Sequence, residues 1–157
     1  MKFQTPPVVC DYMAGLISAG CFEFYPQTVL EPTPGQGNLR RAIVKAGHKV
    51  YAPKQFEDIP QGSRFDCAVM NPPFTPMAEG YRYLKAVMEM TDNIIALMPW
   101  LTIINSDSRT LEIMQWGLRG ITHLPRKTFP NSRVQCCVVE LRKGWYSREA
   151  SQFKFFR

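Results

Sequence analysis

An α/β fold with a doubly wound, mostly parallel sheet that ends in an antiparallel hairpin is predicted for this chain by three observations. Short apolar runs of strand character alternate with stretches of helical spacing from Thr5 to Gly120. The last two strand-like runs, Ile121–Leu124 and Val134–Leu141, are instead joined by a loop, as in a hairpin. The 157 residues, 45% hydrophobic and 20% charged, suit a single compact domain spanning 1–157, with no repeat, low-complexity segment or linker.

Thr5-Pro6-Pro7 opens a helix, with Thr5 as N-cap and Pro6 in the first helical position. Val8, Val9, Met13 and Leu16-Ile17 recur at helical spacing, and Gly15 and Gly20 weaken or end the run. Thr28–Glu31 is a short strand, followed by the turn Pro32-Thr33-Pro34-Gly35-Gln36-Gly37-Asn38. The next helix places Leu39, Ala42, Ile43 and Ala46 on one face and stops at Gly47. Lys49–Ala52 is a second strand, and the stretch from Pro53 to Arg64, with Glu57 and Asp58, is short and irregular.

Phe65–Met70 is a strand covered on both faces, because its apolar residues are nearly continuous. Pro72-Pro73 then stops it, since neither proline donates a ladder hydrogen bond. Thr75 and Pro76 read as N-cap and first residue of a helix that turns Tyr81, Leu84, Val87 and Met88 inward. Asn93–Met98 is a buried strand ended by Pro99-Trp100. Ser106 or Asp107 caps a helix with Leu111, Met114 and Leu118 on one face, broken at Gly120. The loop Pro125–Arg133 gathers Arg126, Lys127 and Arg133 around Phe129, a set that fits a solvated connection and a surface for a polyanion equally well. The tail, Trp145 to Arg157, ends in Phe153-Lys154-Phe155-Phe156-Arg157 and reads as a closing helix or a surface for a partner.

Asn71-Pro72-Pro73-Phe74 is the chemical centre of the chain. It leaves a carboxamide, a main-chain carbonyl and an aromatic ring at the end of a strand, where ligands sit in open α/β sheets. An amine conjugated to a ring or amide is planar and a poor nucleophile. The Asn71 side-chain oxygen and the Pro72 carbonyl would accept its two hydrogens and favour the pyramidal transition state. Phe74 would stack on the flat substrate and hold it in line. An ordinary proline-rich turn accounts for these four residues equally well when they are taken alone.

The net charge of +6 and pI near 9.2 are compatible with nucleic acid and also with simple solubility. Cys10, Cys21, Cys67, Cys136 and Cys137 contain no CxxC pair and read as small hydrophobes; with only His48 and His123 as imidazoles, no metal site is expected. The amino terminus lacks the apolar core of a signal peptide, and the most apolar run, Asn93 to Ile104, is too short to span a bilayer. A cytoplasmic location without membrane association is expected. The Gly35-Gln36-Gly37 turn fits neither nucleotide fingerprint: Arg40 stands where a dinucleotide turn has its third glycine, and no GK[ST] follows.

With Thr5-Pro6-Pro7, the Glu31–Asn38 turn, Asn71–Phe74 and the final hairpin in this order, the chain resembles the class I S-adenosylmethionine-dependent methyltransferases. More closely, it is similar to those that modify adenine N6 in DNA, over roughly Phe3 to Gly144. The resemblance implies a Rossmann-like methyltransferase fold and S-adenosylmethionine as cofactor. Thr5, Glu31, Pro32, Gly35, Gly37 and Asn38 would hold its methionine and sulfonium portion, and Asp58 its adenine amine. Asn71 would adjoin the cofactor and, with Pro72, Pro73 and Phe74, form the catalytic set. Nucleic acid, DNA before RNA, would be the partner, contacted by Arg126, Lys127, Phe129 and Arg133, with the target base flipped out of a duplex.

Three departures from the family stand out. The acid that binds the cofactor's ribose is replaced by Ala52-Pro53-Lys54, in a middle region short enough to lack a helix and a strand. The last strand carries Leu141 where some relatives sandwich the flipped base with an aromatic, a role Phe129 would have to assume. There is no separate target-recognition domain, so selectivity would come from the 125–133 loop, the tail, a partner or a second copy. The same chemistry also serves enzymes acting on RNA bases and on protein glutamine. A nucleic-acid-binding module with a decayed cofactor site is the competing reading from another class.

Overall fold

A computed structural model describes residues 4–18, 25–130, 132–145 and 152–157. Gly20, Cys21, Asn131 of the basic loop and residues 146–151 of the tail lie outside the described residues. Among the described residues seven strands form one sheet: Val29–Leu30 (β1), Val50–Tyr51 (β2), Cys67–Met70 (β3), Asn93–Pro99 (β4), Leu118–Leu124 (β5), Cys136–Arg142 (β6) and Gln152–Phe155 (β7). Their order is β2-β1-β3-β4-β6-β5-β7. The first four run parallel, and β6 is antiparallel to both β4 and β5, so the expected mostly parallel sheet with a final hairpin is present.

The strands alternate between two apolar layers, which is why they read as continuous hydrophobic runs. Cys67, Val69, Ile95 and Leu97 pack against the helices Pro7–Ser18 (α1) and Asn38–Lys45 (α2). Ala68, Met70, Ile94, Ala96 and Met98 face the opposite layer, with Met77–Met88 (α3), Trp100–Ile104 (α4) and Asp107–Gly117 (α5). Burial pushes the Cys136 thiol up to about 12 and the Cys137 thiol up as well, as inert core positions require. Among the described residues no helix is long and apolar enough to cross a membrane, and no group of three or more His, Cys, Asp or Glu could hold a metal.

Several boundaries differ from the sequence expectation. Helix α1 starts at Pro7, one residue late, with the Pro6 carbonyl accepting from the Val9 and Cys10 N–H groups at 3.0 and 3.1 Å. Helix α3 likewise starts after Pro76, whose ψ of 152° is extended. Ala46 caps the end of α2 and is exposed, and Gly47, at φ 95°, makes the stop.

In α5, Ser106 is the N-cap, accepting from the Arg109 N–H, but Leu111 and Met114 are more than half exposed and Ile113 is the buried residue. The helix ends at Gly117 rather than Gly120, and Leu118 already belongs to β5. Gly117 has φ 143°, and a Cβ there would sit 1.7 Å from the Arg142 carbonyl oxygen. Gly117→Ala is therefore expected to cost about 3 kcal/mol or more. The melting temperature should fall by roughly 6 °C or more, read by thermal denaturation.

The tail is a strand, not a closing helix. β7 pairs in parallel with the outer edge of β5, Phe153 beside Ile121 and Phe155 beside His123. The Glu140 carboxylate on β6 accepts from Lys154 Nζ on β7 at 2.8 Å, passing over Gly120, where a Cβ would lie 3.0 Å from its oxygen. Between β2 and β3 only a 3-10 turn at Phe56–Asp58 is formed, so the two-residue β2 is the sheet's edge on that side.

Candidate active site

β1 and β3 are parallel neighbours, with Leu30 in register with Ala68, so the residues that follow them emerge at the same edge of the sheet. There Glu31 and Asn71 line one cavity of about 560 Å³. Of the residues expected to act, the cavity brings together Thr5, Glu31, Pro32, Gly35, Asn38, Asn71, Pro72, Pro73 and Phe74.

Asn71 is held from two sides. Its Nδ2 donates to Thr5 Oγ1, and its main-chain N–H donates to Thr33 Oγ1 at 3.3 Å. Thr5 is buried, and this explains a threonine one residue outside the helix it was expected to cap. One N–H of the carboxamide is thus held by Thr5, and its oxygen can serve as an acceptor for a ligand. Behind it, Gly80 of α3 lets the helix rest on the proline turn, since a Cβ at Gly80 would lie 2.5 Å from the Pro73 carbonyl oxygen.

Glu31 is 1% exposed. Its Oε1 accepts from the Thr33 N–H at 2.7 Å and from Thr33 Oγ1 at 3.2 Å. Burial pushes the carboxyl up to about 7, and these two hydrogen bonds oppose the rise without cancelling it. Thr33 therefore couples the Glu31 turn to the Asn71 strand. Thr33 is not one of the residues expected to act, yet a buried carboxylate must find donors, and a threonine two residues on is the nearest source.

The rest of the turn orients the amino end of α2. Gly37, the N-cap at φ 86°, does not itself line the cavity, but its N–H donates to the Pro34 carbonyl at 2.6 Å and fixes the turn. Asn38 Nδ2 donates to Gln4 Oε1 and to the Thr5 carbonyl, both at 3.3 Å, tying α2 to the segment that holds Asn71.

Asp58 does not enter the cavity. Its carboxylate accepts from the Gln55 N–H at 3.1 Å and caps the 3-10 turn, a local bond that a short exposed turn satisfies first. That side of the cavity is formed by Lys54, Phe56 and Tyr83, the last two edge to face at 4.4 Å. Phe56 was legible only as an apolar residue in an irregular stretch, and Tyr83 arrives from α3, so neither had a local signal.

The basic loop lies at the same sheet edge but outside the cavity. Arg126, Lys127 and Arg133 are exposed, and Arg126 Nη1 donates to the Arg133 carbonyl at 3.5 Å, closing the loop on itself. Phe129 is 5% exposed and packs in the α1-side core, which corrects the expectation of a ring offered to a base. A large apolar side chain at the foot of a loop is drawn into the nearest core.

No protein-family model and no curated protein matches this chain. Solved structures do. One is a protein of Listeria monocytogenes provisionally assigned as a class I S-adenosylmethionine-dependent methyltransferase, at TM-score 0.70 and 14% identity, covering 98% of this chain and 65% of that one. A type I restriction-modification methyltransferase subunit of Streptococcus thermophilus aligns at TM-score 0.67 and 16% identity, over 93% and 46%. A provisionally assigned RNA methyltransferase of Pyrococcus horikoshii aligns at TM-score 0.66 and 20% identity, over 94% and 87%. The chain thus spans under two thirds of the first two neighbours and has the class I methyltransferase fold.

Proposed function

We propose that the chain transfers a methyl group from S-adenosylmethionine to an exocyclic amine, adenine N6 in DNA. The observation that carries this reading is Asn71: its carboxamide nitrogen donates to Thr5 and its oxygen can act as an acceptor, in one cavity with Pro72 and Phe74. The donor set also fits the cofactor, because a buried carboxylate beside a cavity is the partner an ammonium or sulfonium requires. When bound, S-adenosylmethionine supplies an electrophilic methyl group on sulfur.

Glu31 and the Pro32–Gly35 turn would hold the cofactor's cationic end, with Thr5 and Asn38 fixing that turn and Phe56 and Tyr83 as an aromatic wall. Asn71 Oδ1 and the Pro72 carbonyl accept the two hydrogens of the target amine. They stabilise the charge that develops on nitrogen as it pyramidalises, and no general base is needed before the bond forms. Phe74 aligns the flat base by stacking. The type I restriction-modification neighbour supports DNA as acceptor, and the neighbour assigned to RNA makes RNA the alternative within the same chemistry.

The test is transfer of labelled methyl from S-adenosylmethionine to unmethylated duplex DNA, single-stranded DNA, RNA and protein, with the modified group identified after digestion. N6-methyladenine from DNA is the expected product. Label in RNA or glutamine would reassign the substrate. Binding of DNA with neither label nor cofactor affinity would favour the binding-module reading, for which Lys54 in place of the ribose-binding acid is the motive.

Gly80→Ala gives a second check. Its Cβ must displace the Pro73 carbonyl, and a shift of this size at the reacting centre is expected to cost roughly tenfold or more in kcat. Cofactor affinity, read by calorimetry, should stay near wild type.

A further inference from the structure

The end of the chain and the basic loop create a second surface at the sheet edge where the cavity opens. Phe153 and Phe155 stand on one face of β7 and are 70% and 59% exposed. Phe153 lies 6.1 Å from the Trp100 ring and Phe155 lies 5.4 Å from the His123 ring, centroid to centroid. Trp100 Nε1 donates to His123 Nδ1 at 3.0 Å, and the Gln135 side-chain amide lies 3.2 Å from His123 Nε2. Trp100 and His123 are thus fixed by hydrogen bonds and only partly exposed, while Phe153 and Phe155 beside them leave much of their area in water.

The two segments that border them are cationic. Segments 123–135 and 152–157 contain Arg126, Lys127, Arg133, Lys154 and Arg157 and no Asp or Glu. Lys154 is engaged by Glu140, whereas Arg126, Lys127, Arg133 and Arg157 are exposed. The Phe156 N–H donates to the His123 carbonyl at 2.9 Å, which brings the end of β7 to the base of the cationic loop. From β3 to β7 there are four strand intervals, about 19 Å. That is about six stacked nucleotides from Asn71.

We infer that Trp100, Phe153 and Phe155, flanked by Arg126, Lys127 and Arg133, form a stacking platform for unpaired bases of the DNA strand that carries the target adenine. A cluster of exposed cations favours a polyanion, and exposed ring faces select bases whose own faces are free. A closed duplex hides those faces, so the surface favours DNA that is single-stranded or locally opened. The inference rests on the proposed methyl transfer to DNA for the identity of the strand, and it supplies a gripping surface within the chain itself.

The test uses the full chain and a fluorescein-labelled single-stranded DNA of about 12 nucleotides, read by anisotropy. Tryptophan emission, to which Trp100 contributes with Trp116 and Trp145, is monitored in parallel. Wild type should bind with quenching of tryptophan emission. The double variant Phe153→Ala/Phe155→Ala should lose roughly tenfold or more in affinity. Its melting temperature and S-adenosylmethionine affinity should hold. Arg126→Ala/Arg133→Ala should reduce the slope of log affinity against log salt by about 1.4.

Unchanged affinity in the phenylalanine variant, equal loss on duplex and single strand, or tighter binding of a matched RNA would each overturn the platform. Methyl transfer to DNA with KM unchanged in that variant would reject the platform while the proposed activity stands. Ring-dependent binding by a chain that transfers no methyl group would leave the platform and reject the activity.

Discussion

Asn71→Ala is expected to lower kcat for methyl transfer by about 10²–10³-fold, the usual loss when one preorganised polar contact to developing charge is removed. The affinities for S-adenosylmethionine and for single-stranded DNA should change far less. The side chain is only half-buried, and Thr33 still receives the Asn71 main-chain N–H, so the fold should persist. Single-turnover rates measured beside both binding constants check this. Equal turnover in the mutant would sink the assignment of Asn71 as acceptor, and a collapse of cofactor affinity would recast it as a binding residue.

Glu31→Gln is expected to raise stability and weaken the cofactor site at the same pH. The wild-type carboxyl ionises near 7 in the folded chain, against 4.5 as the ordinary value. An acid whose folded value is raised favours the native state while protonated, so its contribution is complete below about 4.5. It is lost as the pH climbs through about 7, a change of about 3 kcal/mol. Glutamine stays neutral, and above pH 7 the variant should therefore melt several degrees higher than wild type.

A cationic ligand reverses the balance, because it favours the ionised carboxylate. The affinity of wild type for S-adenosylmethionine should accordingly rise with pH until about 7 and then level, whereas the variant should bind weakly with no such rise. Thermal melts and calorimetric titrations between about pH 5 and 8 read both effects. A variant with wild-type affinity at pH 8 would remove Glu31 from the cofactor site.

Sequence determined the parts of this protein whose causes are local. The Phe65–Met70 run had to be a doubly covered strand, the two prolines had to end it, and Asn71 had to stand at that end beside a second turn carrying Glu31. The alternation of apolar runs with helical spacing and the closing pair of strands were enough for the sheet's parallel and antiparallel parts. Gly47 and Ser106 act at helix ends through their own backbone or side chain, so they too were readable.

Tertiary structure decided whatever depends on distant partners. Residues 152–157 alone do not specify whether they form helix or strand. The open edge of β5 and the reach of Glu140 over Gly120 to Lys154 make them β7. Asp58 looked available to a cofactor until its carboxylate found the Gln55 N–H, and Phe129 looked available to a base until the core drew it in. Thr5 meets Asn71, 66 positions later in the chain, only after α1 and β3 have packed into one domain. That contact gives the carboxamide its orientation, because a hydrogen bond between distant positions exists only once the fold has brought them to one edge of the sheet.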